Sequence, residues 1–155
     1  MFVHTSNHDT TNFFSDKYLQ LNSCGNQICN GNDFVVSRPN GRHDYLLLYI
    51  RSGKCTAVYD NKTYTLRPGN FVHYPPDVEH RYIFHKEYPC ESLWIHYVGK
   101  NISEILEDLN LKGGVYNCPP SSKVMSIFNE IILEYQLKRP MYQTATNALI
   151  MQLLT

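Results

Sequence analysis

Long apolar runs are missing from this chain, and so is an excess of charge of either sign. Lys and Arg together number 14, as do Asp and Glu, so the net charge is zero. A domain that grips phosphates by itself carries a basic face or stripe. Here the basic residues are scattered, and the tightest cluster is Lys138 with Arg139, so direct nucleic-acid binding is not expected. No apolar stretch approaches a membrane span. The opening Met1-Phe2-Val3-His4-Thr5 lacks the basic and apolar regions of a signal peptide. Five cysteines leave one over under any full disulfide scheme, and Cys24 and Cys29 have no second pair near them to make a zinc site. A reduced, soluble, cytoplasmic protein without a membrane partner is the expectation. There is no Gly-x-Ser-x-Gly elbow and no phosphate loop. Asp77 and Glu79 are spaced like a carboxylate pair, but they fall in a turn where solvated acids are usual. Catalysis is therefore not expected.

At 155 residues the chain suits one domain with room for a small appendage. Tyrosine is abundant, with 12 copies beside a single Trp94. Tyrosine fits β-strands, and it also fits a cavity that must offer both apolar area and hydroxyls. Residues 1–16 are polar apart from Phe13 and Phe14 and read as a mobile arm or edge segment. From Tyr18 to Glu91 short strands alternate with turns. Tyr45–Arg51 ends at Ser52-Gly53, Cys55–Tyr59 and Thr63–Leu66 flank a hairpin turn at Asp60-Asn61-Lys62, and Phe71–Tyr74 stops at Pro75-Pro76. His80–Phe84 and Glu91–Val98 follow. Such spacing predicts an antiparallel sandwich or barrel. After Gly99 the period becomes helical. Ile102–Leu109 reads as a short helix, and Ser121-Ser122 offers a cap for the stripe Val124, Ile127, Phe128, Ile131, Ile132 and Tyr135. Pro140 separates this from a last helix starting near Tyr142. That helix is still apolar at Thr155, which reads as a chain that continues further in a longer parent.

Gly69 to His80, with Pro75 between, resembles the second cupin motif, Asp77 replacing its last glycine. Tyr64 through Gly69, Pro75-Pro76 and His80, together with Trp94-Ile95-His96-Tyr97-Val98-Gly99, is similar to the sensor domain of AraC-family transcriptional regulators. The resemblance covers roughly residues 34–155. It implies a mainly β chain: a cupin-type, jelly-roll antiparallel barrel followed by helices in an antiparallel hairpin. It divides the chain into an arm (1–16), an effector-binding barrel (17–99) and a helical dimerisation region (100–155). It also implies a helix-turn-helix DNA-binding region beyond the last helix, so that DNA is contacted only through the missing part.

Cupin metalloenzymes use two histidines and a carboxylate on one strand with a third histidine from the second motif. Here His43 matches one position, Tyr45 stands where the second histidine belongs, and the acid position is apolar. A barrel without metal or other cofactor is the expectation. Alternation places His80, Tyr82 and Phe84 on one sheet face, and Ser92, Trp94 and His96 on one face of the last strand. An indole beside hydroxyls and imidazoles suits a sugar, stacking on its C–H face and bonding its hydroxyls. The resemblance adds Arg38, ahead of the first barrel strand, and brings His80, Tyr82 and Trp94 to pocket positions. The expected effector set is Arg38, His80, Tyr82, Trp94, Ser92, Tyr45 and His96. On the last helix, Ala145, Leu149, Gln152 and Leu153 offer a seam for a homodimer. In the expected switch, effector in the barrel shifts the 1–16 arm through Phe13 and Phe14. The competing readings are a metal-dependent cupin enzyme (a sugar isomerase or dioxygenase) and a non-catalytic structural or storage cupin.

Overall fold

The structure, a computed structural model, describes residues 2–5 and 16–155, with side chains from residue 16 onward. Ten strands and three helices run in the order β1 (Phe2–Thr5), β2 (Gln20–Cys29), β3 (Phe34–Arg38), β4 (Tyr45–Ser52), β5 (Cys55–Tyr59), β6 (Lys62–Leu66), β7 (Asn70–Tyr74), β8 (His80–Phe84), β9 (Cys90–Val98), α1 (Ile102–Asp108), β10 (Gly114–Asn117), α2 (Ser122–Leu137) and α3 (Tyr142–Leu154). Turn chemistry sets several of these boundaries. Asp60 and Asn61 both take positive φ, at 50° and 58°, and Tyr59 pairs with Lys62 across them. Two left-handed residues in a two-residue loop match the twist of the flanking strands, which is why Asp and Asn sit there.

The strands form two antiparallel sheets, one ordered β1-β2-β9-β4-β7-β10 and the other β3-β8-β5-β6. Residues facing inward between them include Leu46, Leu48 and Ile50 of β4, Val72 and Tyr74 of β7, Tyr82 and Phe84 of β8, and Trp94 of β9. The larger sheet has a second covered face. Leu47 and Tyr49 of β4, and Leu93, Ile95 and Tyr97 of β9, pack with Ile127, Phe128 and Ile131 of α2 and Ile150 of α3. Strands β4 and β9 are therefore buried on both sides. That is why β4 reads as a near-continuous apolar run rather than as an alternation.

The helices follow from caps and stripes. The Ser121 side chain accepts a hydrogen bond from the Val124 amide at 3.1 Å, satisfying one of the orphan donors at the start of α2. Its buried face is Ile127, Phe128, Ile131 and Tyr135. In α3 the buried stripe is Thr146, Ile150 and Leu154, spaced four apart on one side.

Two expectations change. Residues 100–155 are not wholly helical, because Gly114–Asn117 adds β10 to the larger sheet beside β7. The glycine pair there reads as a loop from sequence, and the strand is too short to show a period. Arg38 does not precede the first strand of the sandwich; it ends β3 and sits opposite His80 of β8. Phe2–Thr5 pairs with β2 as an edge strand, whereas Phe13 and Phe14 lie outside the described residues.

Phe128 has no exposed surface, and its ring lies 5.6 Å from that of Tyr49. It joins α2 to the larger sheet. Phe128→Ala is expected to destabilise the domain by about 3–5 kcal/mol in denaturant unfolding, the range for truncating a buried aromatic. A loss well under about 1 kcal/mol would show that α2 does not depend on this contact.

Candidate functional site

Pairing of β3 with β8 puts Arg38 opposite His80, Val36 opposite Tyr82 and Phe34 opposite Phe84. In β9 the residues of the same parity as Trp94 are Ser92 and His96, and all three are buried. The two sets face each other between the sheets. His80 lies 4.6 Å from the Tyr74 ring and close enough to His96 and Arg38 to feel their charge. The Trp94 and His96 rings are 5.5 Å apart, edge to face. Six of the seven residues expected to meet an effector therefore share one interior.

Tyr45 does not join them. Its ring lies on the helix side of β4, stacked on His73 at 5.6 Å and on Tyr97 at 5.3 Å. Because β4 is buried on both faces, apolar content gives no hint of which parity points inward. His43 also points away, exposed and bonded through Nδ1 to the Asp77 carboxylate at 2.7 Å. Among the described residues no group of three His, Cys, Asp or Glu side chains is placed to hold a metal ion.

The most telling feature of this interior is what its polar atoms lack. Arg38 Nη1, both ring nitrogens of His80 and the Ser92 Oγ are buried with no hydrogen-bond partner. Each such group costs about 1–3 kcal/mol when left unsatisfied, so native folds rarely leave several together. Burial holds the His80 imidazole neutral, pushing its pKa down to about 3, with His96 and Arg38 adding to the effect. A neutral imidazole has one donor and one acceptor. For His80 both are unused. Burial raises the Tyr82 hydroxyl pKa, against the opposing pull of the Arg38 guanidinium.

Asp44, at the mouth of β4, is the residue the sequence reading overlooked. It is fully buried and accepts Arg42 Nε at 2.8 Å, Arg42 Nη2 at 3.0 Å, Asn22 Nδ2 at 3.0 Å and His96 Nδ1 at 3.1 Å. Burial alone would raise its pKa, but the bonds from His96, Arg42 and Asn22 outweigh that and hold the carboxyl below its usual range. An ionised carboxylate only accepts, so His96 carries its proton on Nδ1 and leaves Nε2 as an acceptor. The same Asn22 uses its backbone carbonyl to accept from the Tyr135 hydroxyl of α2 at 2.7 Å. Arg42 and Asp44 lie two apart in the bend ahead of β4, a charge pairing visible in the sequence. Gly25 was missed as well. It lies opposite Trp94, and a Cβ there would come within 2.7 Å of the indole, so the ring is seated over bare backbone.

The AraC-like ligand binding domain, as a family profile, matches residues 29–154. This chain belongs to that family. No curated protein sequence is matched. Among solved structures, the AraC-like transcriptional activator CuxR is similar at 13% identity and a TM-score of 0.54, over 88% of this chain and 52% of CuxR. ToxT from Vibrio cholerae is similar at 16% identity and a TM-score of 0.51, over 75% of this chain and 48% of ToxT. A Cupin_2 domain of an XRE family transcriptional regulator from Enterobacter cloacae shows 15% identity over 54% of this chain and 84% of that domain, with a TM-score of 0.43. The chain thus spans about half the length of the two AraC-like regulators. The AraC-like domain has the mainly β, antiparallel fold with C-terminal helices expected from its sequence, its strands divided between two sheets, and it is a ligand-sensing regulatory domain. No helix among the described residues is long and apolar enough to cross a membrane.

Buried neutral histidines make this AraC-like domain sensitive to acid. His73 is brought down to about 4 and His80 to about 3, both by burial, against an ordinary 6.5, and burial lowers His96 too. The unfolded chain binds these protons first as pH falls, so stability is full above about 6.5 and declines below it. Asp44 acts in the same sense further down, its contribution being lost below its ordinary 3.8. The urea midpoint is expected to drop between about pH 7 and about pH 5, and His80→Gln to shrink that difference. An unchanged midpoint would show that these rings are solvated.

Proposed function

We propose that the space between the two sheets binds a small polar effector, a sugar or a similarly hydroxylated molecule, and that its occupancy controls DNA binding by another region of a longer regulator. One observation carries this reading. Buried, unpartnered polar atoms of Arg38, His80 and Ser92 border the same interior as the rings of Trp94 and Tyr82. That is a set of hydrogen-bonding groups waiting for a ligand beside an apolar surface on which a pyranose or furanose face can stack. The planar Arg38 fork suits paired hydroxyls, His80 supplies a donor and an acceptor, and His96 Nε2 supplies an acceptor fixed by Asp44. The match covers only about half of CuxR and of ToxT, which supports a further region that contacts DNA.

The helices provide the second part of the proposal, a homodimer. On α3, Gln152 is exposed and Ala145, Leu149 and Leu153 are half-buried, one step around from the core stripe Thr146, Ile150 and Leu154. Leu149 and Leu153 also pack against the core from their inner side, so a partner would cover only the surface they leave open. A two-fold dimer would present paired DNA-binding regions to paired half-sites.

Two measurements check this. In calorimetric titration against mono- and disaccharides and sugar acids, one class is expected to bind saturably. Arg38→Ala and Trp94→Ala should each weaken it by about ten- to a hundredfold, the equivalent of about 1.5–3 kcal/mol. Binding by none of these ligands, or binding indifferent to both substitutions, would overturn the assignment. In size-exclusion chromatography with light scattering the protein is expected to run as a dimer and Leu149→Glu/Leu153→Glu as a monomer. A monomeric parent would remove the seam.

A further inference from the structure

Three thiols meet at the end of the sandwich where β9 begins. Cys29 of β2 and Cys90 of β9 are direct partners in the antiparallel ladder. Cys55 opens β5 in the facing sheet and lies in the same inter-sheet core as Cys90, close enough for each thiol to shift the pKa of the other. All three are buried and free, and all belong to the inter-sheet core. Their approach is set by backbone. Gly53, in the turn from β4 to β5, takes φ 75°, and a Cβ there would fall 1.9 Å from the Pro89 carbonyl oxygen and 2.8 Å from Cys90 Cα. Only glycine lets that turn lie flat against the start of β9, and so brings position 55 to position 90. Cys29 is held differently, its sulfur accepting from Gln27 Nε2 at 3.0 Å.

A route to Cys55, one member of the pair, exists on the outside. A cavity of about 290 Å³ is lined by Cys55 together with Lys54, Thr56, Thr65, His85 and Tyr88. It is polar-edged and large enough for a small hydroperoxide. We propose that Cys55 and Cys90 are an oxidisable pair that hydrogen peroxide converts into a disulfide joining the two sheets.

The chemistry closes on the atoms present. The Cys90 sulfur attacks one peroxide oxygen, the O–O bond breaks, and the departing hydroxide takes up the thiol proton as water. The resulting Cys90 sulfenic acid is then attacked by the Cys55 sulfur. Its S–O bond breaks, and the Cys55 proton leaves with the hydroxyl as a second water. Two thiols lose two electrons, and one peroxide becomes two waters. The order of events agrees with the local electrostatics: the neighbouring Cys55 thiol lowers the Cys90 pKa, and Cys90 in turn raises that of Cys55. Thiolate character therefore collects on Cys90. Cys90 stands two residues before Ser92 on the same face of β9, so the new bond would lie in the wall of the candidate effector site.

The test uses the whole chain in its folded form. Protein is exposed to hydrogen peroxide, unreacted thiols are alkylated in denaturant, and peptides are mapped by mass with and without dithiothreitol. A linked Cys55–Cys90 peptide pair is expected, lighter by two hydrogens and reversed by dithiothreitol, with alkylatable cysteines falling from five to three. Cys29→Ser should form the same link. Cys55→Ser should instead leave a Cys90 sulfenic acid that dimedone traps. Cys55 and Cys90 remaining alkylatable, or Cys29 being linked to Cys90 instead, would overturn the proposal.

Discussion

Strand β9 is the constraint on which the rest depends. It lies between β2 and β4 in the larger sheet and is buried on both faces. One face carries Leu93, Ile95 and Tyr97 into the helical layer, and the other carries Ser92, Trp94 and His96 toward the smaller sheet. A side-chain period of two means that neither set can move without the other. The wall of the candidate site is thus the reverse side of the hydrophobic core. Its side chains are positioned by packing they do not take part in, which is how a site keeps its geometry before a ligand arrives.

The polar groups in this interior fall into two kinds. Asp44, Arg42, Asn22 and the Nδ1 edge of His96 satisfy one another, and on the helix side His73 is similarly complete, with Lys112 accepting from Nδ1 and the Tyr97 hydroxyl at 2.7 Å from Nε2. These groups fix structure. Arg38, His80 and Ser92 keep buried atoms that have no partner. The contrast between a finished network and an unfinished one a few ångströms away sets the site apart from ordinary core. The finished network also reaches outward, since Asn22 links Asp44 to Tyr135 on α2. An occupant touching His96 therefore has a short polar path to the helices.

Alternation in β8 made the inward set His80, Tyr82 and Phe84 legible, because Arg81 between them is exposed and marks the outer face. The same rule worked on β9 from the polarity of Ser92 and His96. It failed at Tyr45, since β4 offers Leu46, Leu47 and Leu48 to two apolar environments and nothing in the residue types separates them. The α2 stripe and its Ser121 cap could be read from spacing, whereas β10 could not, being four residues that become a strand only by pairing with β7. Arg38 was placed as a residue, but its pairing with His80 needs the register of β3. Asp44 escaped notice although Arg42 stands beside it, because its burial and its bonds from Asn22 and His96 join residues distant in sequence and leave no local pattern. Gly25 escaped for the same reason, its partner Trp94 lying on another strand.

The central claim is that the unpartnered atoms of His80 wait for a ligand while those of His73 do not. Ring-nitrogen NMR of histidine-labelled protein, recorded while hydroxylated ligands are titrated in, tests it directly. The account predicts that both His80 nitrogens shift on saturation while the His73 resonances stay in place. Saturable binding that leaves the His80 nitrogens unmoved would contradict it.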